Sequence, residues 1–138
     1  MRSFALRMEA HNRNGQILAS WLKAHPKVHK VYYPGEGNPH SKDICARQMK
    51  HPGSMISFEL SGGDEAAKNF LRNIRLFVHG VSLGGLESLV VQPASTSHRG
   101  MSPSARKAAG VSPGLIRLSV GTESANDLIA DLEQALSK

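Results

Sequence analysis

Hydrophobic and polar positions along the chain switch repeatedly between a helical period and a strand period. From Phe4 to about Ala24 the pattern predicts a helix, with Ile17, Leu18, Trp21 and Leu22 on one stripe. The middle of that stretch, His11 to Gln16, is polar, and Gly15 within it should cost about 1 kcal/mol relative to alanine. His25-Pro26 ends the helix, because the residue before a proline is pushed out of the helical region. Val28 to Tyr33 reads as a short strand stopped by Pro34-Gly35, Glu36 to Ser41 as loop, and Lys42 to Lys50 as a short helix. Gly53 to Leu60 alternates, with Met55, Ser57 and Glu59 on one face and Ile56, Phe58 and Leu60 on the other. After Gly62-Gly63, Asp64 is the expected cap of a helix carrying Ala67, Phe70, Leu71 and Ile74.

The second half continues the alternation. Leu76 to Ser82 is short and apolar, and Leu86 to Gln92 reads as a strand ended by Pro93. Ala94 to Pro113 is rich in Ser, Gly and Pro and predicts loop, with one helical turn near Ser104 to Ala109. Leu115 to Val120 predicts a strand. A final helix follows, capped near Ser124, with Leu128, Ile129, Leu132, Ala135 and Leu136 on its apolar face. Amphipathic helices interleaved with strands give an α/β chain of two layers, one sheet with helices packed on one face.

At 138 residues the chain is one domain with enough length to bury a core without staples. Cys45 is the single cysteine, which leaves no intrachain disulfide or CxxC motif and fits a reducing, cytoplasmic setting. No apolar run is long enough to span a bilayer and Met1 to Glu9 lacks a signal-peptide core, so no membrane is expected. The net charge of +6 raises nucleic acid as a partner, but the Lys and Arg residues are spread from Arg2 to Lys138 without runs or interleaved aromatics. A solvated basic surface, or a more acidic neighbouring domain, explains the charge better.

Within Leu115 to Val120 the residues Ile116, Leu118 and Val120 form an apolar face, so Arg117 and Ser119 point the other way. Arg117 therefore faces either solvent or a ligand, and its planar fork suits a carboxylate. Ser82 precedes Leu83-Gly84-Gly85, where glycines allow close backbone approach; the segment is either a ligand-facing loop or a plain turn. Neither GxGxxG nor GxxxxGK[ST] occurs, so no phosphate loop is expected. The histidines, His98 among them, are scattered without HxxxH or HExxH spacing, and no metal site is expected. His98 is open to a surface role or a general acid/base role.

These segments, taken in order, resemble the C-terminal domain of the Cys/Met-metabolism family of pyridoxal-phosphate enzymes, which includes cystathionine β- and γ-lyases, cystathionine γ-synthase and methionine γ-lyase. The resemblance begins at Leu6-Arg7-Met8 and Asn14, and runs through His25 to Val28, Val31 to Gly35 and Met55 to Phe58. It is strongest at Val81 to Leu89, Pro93-Ala94, Ser97-His98, Gly110-Val111 and Leu115 to Leu136. It implies a small, mostly antiparallel sheet covered by helices, as in fold-type I pyridoxal-phosphate enzymes. It implies that Arg117 holds the α-carboxylate of a sulfur amino-acid substrate such as cystathionine or methionine, assisted by Ser82. The lysine that carries the cofactor, and the cofactor-binding residues, belong in that family to a larger N-terminal domain whose motifs are absent from residues 1–138. The expectation is a single substrate-carboxylate domain that has no catalytic or cofactor-binding residue of its own and is incomplete alone. The parent enzyme would be a homo-oligomer using pyridoxal 5'-phosphate. A free-standing protein-interaction module is the alternative. Val81 stands where cystathionine γ-synthases and many γ-lyases carry glutamate, and an apolar residue there is more like β-lyases and methionine γ-lyases, which weakens the synthase reading.

Overall fold

The computed structural model describes residues 2–138. The helices are α1 (Phe4–Ala24), α2 (Pro39–Gln48), α3 (Gly63–Asn73), α4 (Pro103–Ala108) and α5 (Ala125–Leu136). The strands are β1 (Val28–Tyr32), β2 (Met55–Leu60), β3 (Val78–His79), β4 (Leu89–Val91) and β5 (Leu115–Ser119). They form one sheet in the order β1-β2-β5-β4-β3. All pairings are antiparallel except the short parallel one between β3 and β4. The expected two-layer α/β architecture is present: α1, α3 and α5 pack together on one face of the sheet.

That face forms the core because the strand alternation puts one apolar set beneath the helices. Ile56, Phe58 and Leu60 of β2, Val90 of β4 and Ile116 and Leu118 of β5 are buried there. They meet Leu18 and Leu22 of α1, Ala67 and Phe70 of α3, and Leu128, Leu132 and Ala135 of α5. Phe58 and Phe70 meet edge to face with centroids 5.8 Å apart, the arrangement their ring quadrupoles favour.

The polar middle of α1 is helical for two reasons. Gly15 lies against the segment at Gly53-Ser54, where a Cβ would collide with the Gly53 carbonyl. Helix propensity is given up there for close approach of two backbones. His11 and Asn14 are buried, and both bond to the turn after β5. His11 Nδ1 donates to the Val120 carbonyl at 2.7 Å, and Asn14 Nδ2 to the carbonyls of Gly121 (3.1 Å) and Glu123 (2.8 Å). A polar helix face is thus satisfied by a turn with free carbonyls.

Several boundaries differ from those the sequence predicts. Helix α2 starts at Pro39, three residues early, because Asn38 caps it by accepting from the Ser41 amide and proline suits the first helical position. Gly62, not Asp64, is the N-cap of α3. Asp64 instead pairs with Lys68 and accepts from Gln92 Nε2. Ser124 is the N-cap of α5 but makes no side-chain cap bond. The short apolar stretch over 76–82 carries only the two-residue β3, and the strand expected over 86–92 shrinks to β4. One reason lies in α5. The buried Asp131 carboxylate accepts the amides of Arg75 (2.9 Å), Leu76 (2.7 Å) and Phe77 (3.1 Å), turning that segment away from a strand ladder.

Candidate functional site

The second face of the sheet carries the polar residues. Cross-strand pairing aligns Tyr32, Ser57, Arg117 and Val91 in one row over β1, β2, β5 and β4. The next row holds Met55, Ser119 and Leu89. Tyr32 lies at the edge and donates its hydroxyl to Glu59 at 2.5 Å. That bond, with desolvation and the carboxylate charge, pushes the phenol up to about 12.

The segment from Val81 to Leu86 folds over this face. Arg117 Nη2 donates to the carbonyls of Val81 at 2.9 Å and Ser82 at 3.3 Å. Ser119 Oγ accepts the Gly84 amide at 2.9 Å. Gly84 has φ +75°, a conformation that glycine adopts without strain. The loop's base is fixed separately. Glu123 accepts from the Ser88 amide (2.7 Å) and the Ser88 hydroxyl (2.8 Å), while Ser88 Oγ accepts the Gly121 amide (2.8 Å). The Thr122 amide donates to the Leu86 carbonyl. Outward, Val81, Leu83 and Leu86 expose their side chains, and the Gly80-Val81 end borders an open cleft of about 370 Å³.

The structure therefore brings Arg117 and Ser82 together, although the contact runs through the Ser82 carbonyl. Arg117 is half-buried and its Nε is fully buried without an acceptor. An unpaired buried donor on a charged group costs about 1–3 kcal/mol or more. Ser119 faces away from the core together with Arg117, as the alternation predicts. The loop covers it to 2% exposure. Ser119, Ser88 and Glu123 are functional candidates that the sequence reading passed over; the shared period of Arg117 and Ser119 was the available signal. His98 is not joined to this group by any hydrogen bond: its ring Nδ1 meets Ser97 Oγ at 2.9 Å.

The lysines of this chain do not fit a resident pyridoxal phosphate. All are exposed except Lys68, whose ammonium is paired with Asp64 (2.8 Å) and Glu65 (3.1 Å). None stands unpaired in an enclosed pocket, as an amine held ready for a carbonyl must. Among the described residues, no group of three His, Cys, Asp or Glu is placed to hold a metal ion, and no helix is long and apolar enough to cross a membrane.

The chain is 48% identical to the L-methionine gamma-lyase of Fusobacterium nucleatum subsp. polymorphum over 138 residues, all of this chain and 35% of that protein. It is 46% identical to the cystathionine beta-lyase of Lactococcus lactis subsp. cremoris, again over all of this chain and 36% of the relative. Its fold superposes with TM-score 0.92 and 45% identity on cystathionine gamma synthase from Xanthomonas oryzae pv. oryzae, solved with aminoacrylate and cysteine, covering 99% of this chain and 35% of that one. The chain thus spans about a third of the length of the curated relatives it matches. The family model described as "Cys/Met metabolism PLP-dependent enzyme" matches residues 1–137, and with these identities the chain belongs to that family of pyridoxal-phosphate-dependent enzymes.

Proposed function

We propose that this chain is the C-terminal, substrate-carboxylate domain of a pyridoxal-phosphate-dependent C–S lyase or γ-synthase acting on a sulfur amino acid such as methionine or cystathionine. The observation that carries the reading is Arg117: a guanidinium on the central strand, its Nη2 held by two loop carbonyls and its Nη1 still accessible. A substrate carboxylate arriving at Nη1, the guanidinium nitrogen that is neither buried nor bonded to the loop, gains a charge-assisted bond. Ser82, whose carbonyl is already on the guanidinium, forms the other wall of the subsite. The cofactor and its lysine belong to the larger part of the protein outside these residues, in keeping with the third of the relatives' length spanned here. The work of this chain is positional. It fixes the substrate by its carboxylate so that the reacting bonds are held in one orientation, which converts binding into rate.

The test is Arg117→Ala in the enzyme that contains this chain, assayed on methionine and on cystathionine. Hydrogen bonds to charged groups are worth about 1.5–3 kcal/mol each. Loss of one such bond predicts a decrease in kcat/KM of about tenfold to a hundredfold, with fold and cofactor retained. Arg117→Lys should recover only part of it, because a point charge cannot reproduce the fork. Unchanged kinetics in Arg117→Ala would overturn the proposal.

A further inference from the structure

We propose that Ser119 is a positioning residue for Arg117, acting through the 81–86 loop; this rests on the carboxylate reading of Arg117. Ser119 sits two residues beyond Arg117 on the same face of β5, and is buried to 2% exposure. Its hydroxyl oxygen accepts the Gly84 amide, while Arg117 Nη2 donates to the carbonyls of Val81 and Ser82. Two side chains of one strand thus staple the loop at both ends of a four-residue span, 81–84. Among the described residues no other hydrogen bond holds that span in place: Val81 and Leu83 are 62% and 58% exposed, and the cleft beside Gly80 and Val81 is open. The Glu123–Ser88–Gly121 bonds secure only the base of the loop, beyond Leu86.

The consequence concerns the guanidinium. Its rotation is set by where the two carbonyls stand, and those stand where the Gly84 amide is held. With Ser119 in place, Nη2 is committed to the loop and Nη1 is left to meet a carboxylate. Without the hydroxyl, Gly84 at φ +75° loses its hydrogen bond to the sheet, and the loop carries its carbonyls, and the guanidinium with them, away from one fixed orientation. Carboxylate affinity falls in the ground state and the transition state alike, which raises KM and leaves kcat nearly unchanged.

Steady-state kinetics on methionine with Ser119→Ala, Ser119→Thr, Arg117→Ala and the Arg117→Ala/Ser119→Ala double variant test this in the enzyme that contains the chain. Ser119→Ala should raise KM about tenfold with kcat within about threefold, one hydrogen bond's worth of positioning. Ser119→Thr, which keeps the acceptor oxygen and is suited to a strand, should restore most of the loss. In the Arg117→Ala background Ser119→Ala should cost nothing further, because the two act as one unit. Equal cost in both backgrounds, or no cost in either, overturns the positioning role while leaving the carboxylate reading intact. A neutral Arg117→Ala overturns both. Amide exchange on the unsubstituted protein gives a test that needs no variant. The Gly84 amide should exchange more slowly than that of Gly85 and slow further on adding methionine. Gly84 exchanging as fast as Gly85, with or without methionine, overturns the staple.

Discussion

Gly15→Ala is the sharpest test of how α1 meets the sheet. In an exposed helix interior this change stabilises, by about 1 kcal/mol. Here the added Cβ would run into the Gly53 carbonyl and stand 3.0 Å from Ser54 Cα and 3.1 Å from the Tyr33 hydroxyl. Two of these neighbours are backbone atoms that no rotamer change can move. The Gly53 carbonyl also accepts the Tyr33 hydroxyl at 2.7 Å, and pushing the segment back weakens that bond, worth about 1 kcal/mol. Overpacking against fixed atoms costs about 1–3 kcal/mol. Subtracting the propensity gain leaves a net destabilisation of about 1–3 kcal/mol. For a chain of this size that lowers Tm by about 3–4 °C per kcal/mol. Urea unfolding of the two proteins, followed by circular dichroism, measures the difference directly. Gly15→Ala as stable as the parent, or more so, would show that α1 and the 53–54 segment separate freely and that the close approach described here does not constrain the fold.

Two further outcomes follow from buried and hydrogen-bonded groups. Asp131→Asn replaces one acceptor oxygen by an amide that faces the Arg75, Leu76 and Phe77 N–H groups. It should destabilise the chain by about 2–4 kcal/mol in the same urea assay, since buried charged hydrogen bonds are lost and a donor meets donors; a loss below about 1 kcal/mol would refute the capping role. Tyr32 and Tyr33 are both pushed up to about 12 from an ordinary 10.0, Tyr32 chiefly by its bond to Glu59 and Tyr33 chiefly by burial. The unfolded chain releases these protons first, so their contribution is complete below pH 10 and is lost as pH rises from about 10 to 12. Spectrophotometric titration should show no native tyrosine ionising at pH 10, and full ionisation of either there would contradict the geometry.

Much of the fold is legible in the residues, and the reason is periodicity. The alternation in β2 and β5 marks the core face correctly at Ile56, Phe58, Leu60, Ile116 and Leu118, because each strand packs helices on one side only. What periodicity cannot register is which loop returns to cover the second face. Ser119 therefore reads in sequence only as facing away from the core, and the 81–86 loop that buries it is not visible there. Asp131 lies on the buried side of α5, where a charged residue breaks the apolar pattern, and its partners are more than fifty positions away. The start of α2 was readable from Asn38-Pro39, a cap followed by a first-turn proline, and was missed for want of an apolar stripe. Of the candidate site, pattern alone left Arg117 open between solvent and ligand. Its selection, and that of Ser82, came from the resemblance; the accessible Nη1 and the loop carbonyls are the structural facts that support it.

The bonds from α1 to the turn after β5 bear on how the chain is made. His11 and Asn14 find their acceptors at Val120, Gly121 and Glu123, across 107 to 109 positions of sequence. Until the ribosome has released those residues, α1 presents a polar stripe and an apolar stripe whose partners within this unit have yet to be made. Partners this distant raise the contact order, and the loop-closure entropy must be met before any contact rewards it. Folding of this unit is therefore a late event in synthesis, completed when β5 and α5 arrive together. A nascent chain arrested before Val120 should still be degraded readily by protease within α1, and one extended past Leu136 and clear of the exit tunnel should not.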